Sequence, residues 1–388
     1  MSLSFDNTEI AFRHRNNKEL KRAHFLFNSM SSAFLTKVGI GLTQFAFKFG
    51  LPVKGIIKNT IFEQFCGGET LEEAAKTASV LAPYNVSVAL DYGVEGKTSE
   101  ADFDHAVPEF IKAINYAASQ PNIPFIPIKV TGFADFSLLE KIHAGKTLSG
   151  EEQKAWVRVQ VRIDQICAAA AQKHLMILID AEESWIQQPV DDLANIMMAR
   201  YNKQYTAVFN TFQLYRHDRL EYLKESFRLA QKDGFILGAK LVRGAYMEKE
   251  RARAEAMNYP NPIQPDKETC DKDYDDAVAF CLQHLDQIGL FIGTHNETSC
   301  LKAVDIMNER QIPHNHPRVW LAQLFGMSDN ITFNLADAKF HVAKYLPYGP
   351  VKDVIPYLMR RAQENTSVAG QTGRELSLIK KEMRRRGL

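Results

Sequence analysis

Residues 175–180 read LMILID, five apolar residues in a row followed by an acid. A continuous apolar run of this length is typical of a strand that is buried on both faces of a parallel sheet. A stretch with helical periodicity follows, and this order of strand and helix recurs after Pro83. The eight predicted strands are residues 86–92, 125–130, 175–180, 207–214, 235–242, 290–294, 319–324 and 342–346.

Eight strands that alternate with helices predict an α/β fold, most simply a (β/α)8 or TIM-like barrel. A doubly wound open sheet is the alternative. Residues 19–82 instead have helical periodicity throughout, and Thr70 to Glu73 form a capping-box pattern that begins a helix. We therefore expect an N-terminal helical extension at residues 1–83, the barrel at 84–370 and a basic C-terminal tail at 371–388.

Polar and charged side chains stand where the predicted strands end. In a barrel of this class, the C-terminal ends of the strands form the active site. Those ends carry, in chain order, Asp91 with Glu95, Lys129, Asp180 with Glu182, Gln213, Lys240 with Arg243, Thr294 with His295 and Asn296, Leu324, and Tyr345. We expect these side chains to converge on one site.

Two of the strand ends carry groups suited to a large cofactor. Residues 238–246 read GAKLVRGAY, where Gly244 and Ala245 let the backbone approach a flat ligand and Lys240 and Arg243 supply positive charge near phosphates or a flavin ring. Residues 292–298 read IGTHNET, a hydroxyl, an imidazole and an amide in sequence that suit a ribityl or pyrophosphate group. In isolation, each segment is also consistent with an ordinary strand exit.

The segment at residues 345–365 reads YLPYGPVKDVIPYLMRRAQEN. In a helix, Tyr357, Arg360, Arg361 and Glu364 would share one face because their spacing is i, i+3, i+4 and i+7. Two guanidinium groups beside an aromatic ring suit a small anionic ligand, since each offers a planar fork to a carboxylate or phosphate. A solvated charged helix is the alternative interpretation.

The overall composition excludes several classes of protein. The chain has 388 residues with 47 basic and 46 acidic side chains, so no strong nucleic-acid field is indicated. The five cysteines are scattered, without a CxxC pair, which favours reduced thiols in a cytoplasmic protein. The N-terminal residues lack the pattern of a signal or transit peptide, and no run reaches the length of a membrane span.

Four other motifs are absent or incomplete. The segment DYGVEGKT at residues 91–98 ends like a P-loop, but Asp91 stands where the first glycine is required and would repel phosphate. His314 and His316 have no evident third ligand, so we expect no metal site. Neither GxGxxG nor GxSxG occurs, which disfavours a dinucleotide-binding Rossmann domain and an α/β-hydrolase.

Taken in order, the motifs resemble those of the proline dehydrogenase family, flavin enzymes that oxidise L-proline to 1-pyrroline-5-carboxylate. They are LDYGVE (90–95), IKVTG (128–132), LIDAEE (178–183), NTFQLY (210–215), KLVRGAY (240–246), THN (294–296), QLFGM (323–327), KYLPYGP (344–350) and YLMRRAQEN (357–365). The resemblance spans residues 86–365, and KLVRGAY is similar to the eukaryotic-type branch of monofunctional members.

The resemblance implies a role for each matching position. Arg360 and Arg361 would hold the proline carboxylate, and Glu95 would pair with Arg360 in the empty site. The other substrate-binding residues would be Lys129, Leu324, Tyr345 and Tyr357. Catalytic roles are implied for Lys129, Asp180 and Lys240. The FAD-binding residues would be Ala181, Gln213, Lys240, Val242, Arg243, Gly244, Ala245, Thr294, His295, Asn296 and Glu364. Lys240 stands where many members have arginine, so the charge is kept and the fork is lost.

The implied chemistry agrees with these residue types. A hydride leaves the ring carbon next to nitrogen for flavin N5, so the substrate must be held flat against the flavin, which a double-arginine clamp can do. A cationic pocket that contains Lys129 favours the neutral amine from which hydride can leave. Asp180 would then mainly orient Lys129 or nearby groups.

Several alternatives stay open at this point. A hydroxyproline dehydrogenase would differ by small changes in the pocket. A methylenetetrahydrofolate reductase would not need Arg360 and Arg361 together, and a non-catalytic barrel scaffold would bind no flavin. The family passes electrons to membrane quinone, and the basic segment at residues 378–386 could touch an anionic membrane surface, which would make the protein peripheral at the inner membrane.

Overall fold

The structure is a computed structural model that describes residues 3–30, 54–93, 98–367 and 371–388. Eight strands form one closed barrel and follow one another in chain order. They are β1 (Val86–Tyr92), β2 (Phe125–Lys129), β3 (Met176–Asp180), β4 (Val208–Gln213), β5 (Leu237–Val242), β6 (Ile288–Gly293), β7 (Val319–Leu324) and β8 (Val342–Tyr348). The predicted (β/α)8 barrel is confirmed, and the doubly wound alternative is wrong because its sheet would be open.

Helices alternate with the strands and also precede them. Before β1 lie α1 (Thr8–Phe12), α2 (Asn17–Met30), α3 (Lys54–Ile57), a π-helical turn (Lys58–Phe62), α4 (Glu63–Phe65) and α5 (Leu71–Leu81). Around the barrel lie α6 (Glu100–Ala117), α7 (Phe136–His143), α8 (Gly150–Gln172), α9 (Gln187–Tyr201), α10 (Arg219–Asp233), α11 (Met247–Met257), α12 (Lys267–Gln283), α13 (Glu297–Glu309) and α14 (Asp329–Asp337). After β8 come α15 (Val351–Ser367) and α16 (Gln371–Arg385). The described part of residues 1–83 is therefore mainly helical, as predicted.

The strands form where the apolar runs predicted them because both faces of each strand are covered. Every residue of β4 and β8 is buried, including the polar ones. Inside the barrel, the ring of Phe125 meets those of Phe291 and Trp320 edge-on, with centroids 5.0 and 4.9 Å apart. Edge-to-face contact of this kind is favourable and gives the barrel a packed interior.

The predicted capping box at Thr70 is half correct. The Thr70 hydroxyl accepts a hydrogen bond from the Glu73 amide, so Thr70 is the N-cap of α5. The Glu73 carboxylate accepts from the amide of Glu69 rather than from that of Thr70. A complete capping box occurs instead at Ser149 and Glu152, which begin α8.

The chain divides into two compact units, Met1–Glu95 with Gln323–Leu388, and Gly96–Ala322. In the first unit, a core that includes Phe12, Phe27, Phe65 and Leu358 joins residues from both ends of the chain. The second unit contains β2 to β6 with their helices. The domain boundaries given above stay a prediction.

The predicted basic tail is a packed helix in the first unit. In α16, Leu376, Leu378 and Ile379 are buried in the core of that unit. Beyond the helix, Arg386 donates to the carbonyl oxygens of Phe12 and Arg15 at 2.9 and 2.8 Å. The tail is therefore held by the N-terminal segment over its described residues.

Candidate active site

Three predicted catalytic residues lie together in the second unit: Lys129 and Asp180 end β2 and β3, and Lys240 lies two residues before the end of β5. Lys240 Nζ donates to Asp180 Oδ1 at 2.6 Å, and Lys129 Nζ lies 3.7 Å from Asp180 Oδ2. The parallel register places Lys129 directly beside Asp180. Lys240 and Asp180 are buried, and Lys129 is half-buried. One carboxylate between two ammonium groups leaves a formal excess of one positive charge, which favours an anionic or electron-rich ligand over a cationic one.

The loop after β3 is fixed by hydrogen bonds that involve Glu182. Its carboxylate accepts from the Thr131 hydroxyl at 2.7 Å, and its carbonyl oxygen accepts from Gln213 Nε2 at 2.7 Å. Burial raises the pKa of Glu182 to about 7, although Thr131 and the Lys129 ammonium oppose the shift. Ala181 lies between Asp180 and Glu182 and is half-buried. Gln213, at the end of β4, thus holds the turn that contains Ala181.

Arg243 follows β5, and each of the three nitrogens of its guanidinium donates a hydrogen bond. Its Nε donates to Asp271 Oδ1 at 2.7 Å, Nη1 to Thr294 Oγ1 at 2.8 Å, and Nη2 to Ser299 Oγ at 2.9 Å. Its Cζ lies 4.2 Å from the centroid of the Tyr274 ring. Arg243 and Thr294, which were predicted for the same cofactor, are therefore in direct contact.

The turn after Arg243 requires glycine. Gly244 has φ +138°, and a Cβ there would lie 2.5 Å from ring atoms of the buried Tyr215. Val242 is the last residue of β5, and Gly244 and Ala245 are exposed. The exposed backbone at this turn can be approached closely by a flat ligand.

The segment Thr294 to Asn296 leads from β6 into α13. Asn296 is the N-cap, since its side chain accepts from the amides of Thr298 and Ser299 at 2.9 and 3.2 Å. The Thr294 hydroxyl accepts from the amide of Asn296 at 3.1 Å, and His295 between them is half-buried. The segment therefore presents polar groups at a helix N-terminus, where anions are favoured.

The first unit contains the other predicted substrate residues. Tyr345 is buried in the middle of β8 rather than at its end, because β8 continues to Tyr348. Leu324 ends β7 and packs at the edge of the unit's core, as does Tyr357. Tyr357, Arg360 and Arg361 lie on α15, as the spacing predicted.

Arg361 on α15 is buried, and its Cζ lies 5.3 Å from the centroid of the Tyr357 ring. Arg360 is half-buried. Glu95 and the side chain of Glu364 lie outside the described residues, so the expected pairing of Glu95 with Arg360 stays a prediction.

Sequence reasoning missed two groups of charged residues. One comprises Asp271 and Asp275 on α12, which hold Arg243 and Ser299. The other comprises Asp329 and Lys344 in the first unit, a buried pair 2.9 Å apart. The spacing of Asp271 and Asp275 on one helical face was a signal available in the sequence.

The described residues contain neither a candidate membrane span nor a candidate metal cluster. No helix among them is long and apolar enough to cross a membrane. No group of three or more His, Cys, Asp or Glu side chains in that part of the chain is placed to hold a metal ion. The predicted lack of a metal stays a prediction.

The fold and the charged clusters define a class of protein. Closed parallel barrels place their active sites at the C-terminal ends of the strands, where Lys129, Asp180 and Gln213 lie here. Buried charges gathered there are characteristic of an enzyme site. The class is that of (β/α)8-barrel enzymes.

Comparison with known proteins identifies the family. A model of the proline dehydrogenase family matches residues 74–374. The chain belongs to the proline dehydrogenase family and is an oxidoreductase, as the resemblance predicted.

The chain is similar over most of its length to a bacterial and a eukaryotic protein, and the eukaryotic one is named a proline dehydrogenase. The carbapenem antibiotics biosynthesis protein CarD of Pectobacterium carotovorum subsp. carotovorum is 34% identical over 83% of this chain and 83% of its own length. Proline dehydrogenase 1, mitochondrial, of Dictyostelium discoideum is 32% identical over 87% of this chain and 67% of its own length.

A solved structure supports the fold. Proline utilization A from Bdellovibrio bacteriovorus, inactivated by N-propargylglycine, superposes with a TM-score of 0.75 at 19% identity and matches 95% of this chain. The chain spans 40% of that larger protein.

Proposed function

We propose that the chain oxidises L-proline to 1-pyrroline-5-carboxylate with FAD as its cofactor, the first step of proline catabolism. The observation that carries the proposal is the cluster of Lys129, Asp180 and Lys240, from β2, β3 and β5, in a member of the family. We further propose that residues 84–370 are the catalytic domain, with residues 1–83 as its helical extension and 371–388 as a C-terminal segment.

The residues of the second unit fit a flavin dinucleotide. A pyrophosphate requires cations and donors, which Arg243, Thr294 and Asn296 supply at a helix N-terminus. A flat ring requires a backbone that it can approach, which Gly244 and Ala245 supply. The other residues proposed for FAD in this unit are Ala181, Gln213, Lys240, Val242 and His295.

The chain's own residues would bind the substrate and set its protonation. Arg360 and Arg361 would bind the carboxylate through charge-assisted hydrogen bonds, and Tyr345, Tyr357 and Leu324 would cover the ring. The excess positive charge of the Lys129, Asp180 and Lys240 cluster opposes a protonated amine, so the amine would release its proton to solvent. When bound, FAD supplies the acceptor for the hydride from the ring carbon next to nitrogen.

The first test is the visible spectrum of the purified protein, recorded without oxygen before and after L-proline is added. Loss of the flavin absorbance on addition of proline is the expected result. A flavin that proline leaves unchanged would contradict the substrate, and a protein that takes up no FAD would contradict the cofactor and favour a scaffold role.

The role of Asp180 has its own test. In Asp180→Asn, Lys240 and Lys129 lose the carboxylate that orients them, at 2.6 and 3.7 Å, and we expect flavin reduction by proline to slow at least about tenfold. Stopped-flow reduction measures the change, with the surface variant Asp276→Asn as a control. Unchanged turnover would remove Asp180 from the catalytic residues.

A second candidate substrate is hydroxyproline. One relative, from Xenopus laevis, is named hydroxyproline dehydrogenase and is 29% identical over 85% of this chain. Steady-state rates with both substrates separate the candidates, because kcat/KM measures discrimination directly.

We also propose that a membrane quinone reoxidises the flavin and that the protein is cytoplasmic, with peripheral contact at the inner membrane. The support is family membership and the basic residues of α16, of which Lys380 and Arg384 are exposed. Sedimentation with anionic vesicles, in low and high salt, tests the contact.

A further inference from the structure

Helix α12 presents two carboxylates to the candidate cofactor site. Asp271 and Asp275 are four residues apart and therefore lie on one face. Asp271 Oδ1 accepts from Arg243 Nε at 2.7 Å, and Asp275 Oδ1 accepts from the Ser299 hydroxyl at 2.6 Å. Neither residue follows a strand, so neither belongs to the usual set of residues at the ends of barrel strands.

Together these contacts fix the orientation of the Arg243 guanidinium. Each of its three nitrogens donates a hydrogen bond to a different side chain, namely Asp271, Thr294 or Ser299. The Tyr274 ring lies against its Cζ. Three directed bonds and one stacking contact determine both the plane of the guanidinium and its rotation within that plane. Three of the five N–H groups of Arg243 are used, so the direction of the other two is determined as well.

The hydrogen bonds have a defined polarity at Ser299. A carboxylate only accepts, so the single hydroxyl proton of Ser299 is donated to Asp275. The Ser299 oxygen therefore accepts from Arg243 Nη2, which lies 2.9 Å away. Lys302 Nζ lies 2.6 Å from Asp275 Oδ2 and forms an ion pair with this carboxylate. Asp275 thus acts on Arg243 through Ser299, whereas Asp271 acts on it directly.

We propose that Asp271 and Asp275 are positioning residues that hold Arg243 in the geometry in which it binds the flavin dinucleotide. This inference rests on the proposed function, since Arg243 is among the residues proposed to bind FAD. An arginine that is already oriented loses less conformational entropy when the ligand binds. Without either carboxylate, Arg243 would have to be ordered by the ligand, and the cofactor would dissociate faster.

The test uses the full-length protein loaded with FAD and measures release of flavin after dilution, followed by the rise in flavin fluorescence. We expect Asp271→Asn and Asp275→Asn to release FAD about tenfold faster than wild type, the change that loss of one charge-assisted hydrogen bond produces. Asp271→Glu keeps the charge and is expected to restore slow release. Asp276→Asn is the matched control, because Asp276 is on the same helix and pairs with the exposed Lys272.

The thermal midpoint of each protein without FAD separates positioning from a folding defect. If Asp271→Asn does not fold, flavin release is measured instead on Asp275→Asn and on the double variant that combines Arg243→Met with Asp271→Asn. In the double variant, the loss of Asp271 should add nothing to the loss of Arg243.

The proposal would be overturned if both variants released FAD as slowly as wild type. It would also be overturned if they bound FAD more tightly, because Asp271 would then compete with the cofactor for Arg243. In that case wild type would still be reduced by proline, so the proposed function would stand. A wild-type protein that takes up no FAD would overturn both.

Discussion

A buried ion pair in the first unit supports a prediction about stability. Asp329 Oδ1 lies 2.9 Å from Lys344 Nζ, and Asp329 Oδ2 accepts from Arg15 Nη2 at 2.8 Å. The side chains of Asp329 and Lys344 are 5% and 1% exposed. Although burial opposes ionisation, the charges of Lys344 and Arg15 hold the pKa of Asp329 well below its usual range. Asp329 is therefore the shared counter-charge of the buried Lys344 and the half-buried Arg15.

The change we consider is Asp329→Asn, which keeps the size of the side chain and removes its charge. Loss of one partner of a buried pair costs about 3–5 kcal/mol, because the remaining charge is left in a low dielectric. The Asn carbonyl can still accept from Lys344 or Arg15, so we expect the low end, a loss of about 3 kcal/mol in the free energy of unfolding at pH 7.

The loss should become smaller as the pH rises. Burial lowers the pKa of Lys344, and the charge of Asp329 opposes this shift. In the variant that opposition is gone, so the pKa of Lys344 in the folded protein falls further below its unfolded value. A lysine with a lowered pKa binds fewer protons when folded, and stability then increases with pH. We expect the deficit at pH 9 to be smaller than at pH 7.

Urea unfolding at both pH values measures these free energies. The matched control is Asp337→Asn at the other end of α14, where Arg13 and Asp337 form a bridge that is 33% and 44% exposed. A bridge of that kind contributes little, so the control should change stability by less than about 1 kcal/mol. Equal losses from Asp329→Asn and Asp337→Asn would refute the reasoning.

Three further changes have outcomes that the structure determines. Burial raises the pKa of Glu375 to about 7 from its usual 4.5, so its ionisation costs about 3 kcal/mol in the fold and is complete only above pH 7. The wild-type protein should therefore lose stability as the pH rises from 5 to 8, and Glu375→Gln should lose less, as measured by urea unfolding. Gly244→Ala places a methyl group against Tyr215 at positive φ, which adds about 1–3 kcal/mol of strain. The variant should therefore have a lower flavin content and a lower thermal midpoint. Ser149→Ala removes the N-cap of α8 and should cost about 1 kcal/mol in urea unfolding, whereas Ser149→Thr should not.

The barrel was predictable because its signal is local. Each strand is a short apolar run, and burial on both faces imposes that composition on every strand of a closed parallel barrel. The predicted ends differ from the observed ones by two residues at most, as at residues 235–242, where β5 is Leu237–Val242. The contact of Lys129 with Asp180 follows from the same signal, because residues that end neighbouring parallel strands are adjacent.

The partners of Arg243 were not predictable in this way. Asp271 lies 28 residues after Arg243 on a helix, and its position depends on how α12 packs against β5 and β6. Helical spacing shows that Asp271 and Asp275 share a face, but it does not show which face meets the barrel when both faces carry charge. A run of acids on a helix is usually solvated, so sequence alone favours the wrong interpretation here.

The buried pair in the first unit could not be found from sequence for a stronger reason. Arg15 and Asp329 are 314 residues apart, and Lys344 lies within a strand where a buried apolar residue is the ordinary choice. A lysine within an apolar run weakens the prediction of a buried strand unless the residue that carries the opposite charge is known. That counter-charge is brought by α14, and Arg15 comes from the segment before α2. Because Asp329 is the carboxylate that pairs directly with both Lys344 and Arg15, its removal affects the N-terminal segment and β8 together. We therefore expect loss of residues 1–16 to weaken the first unit even though none of these residues is a candidate catalytic group.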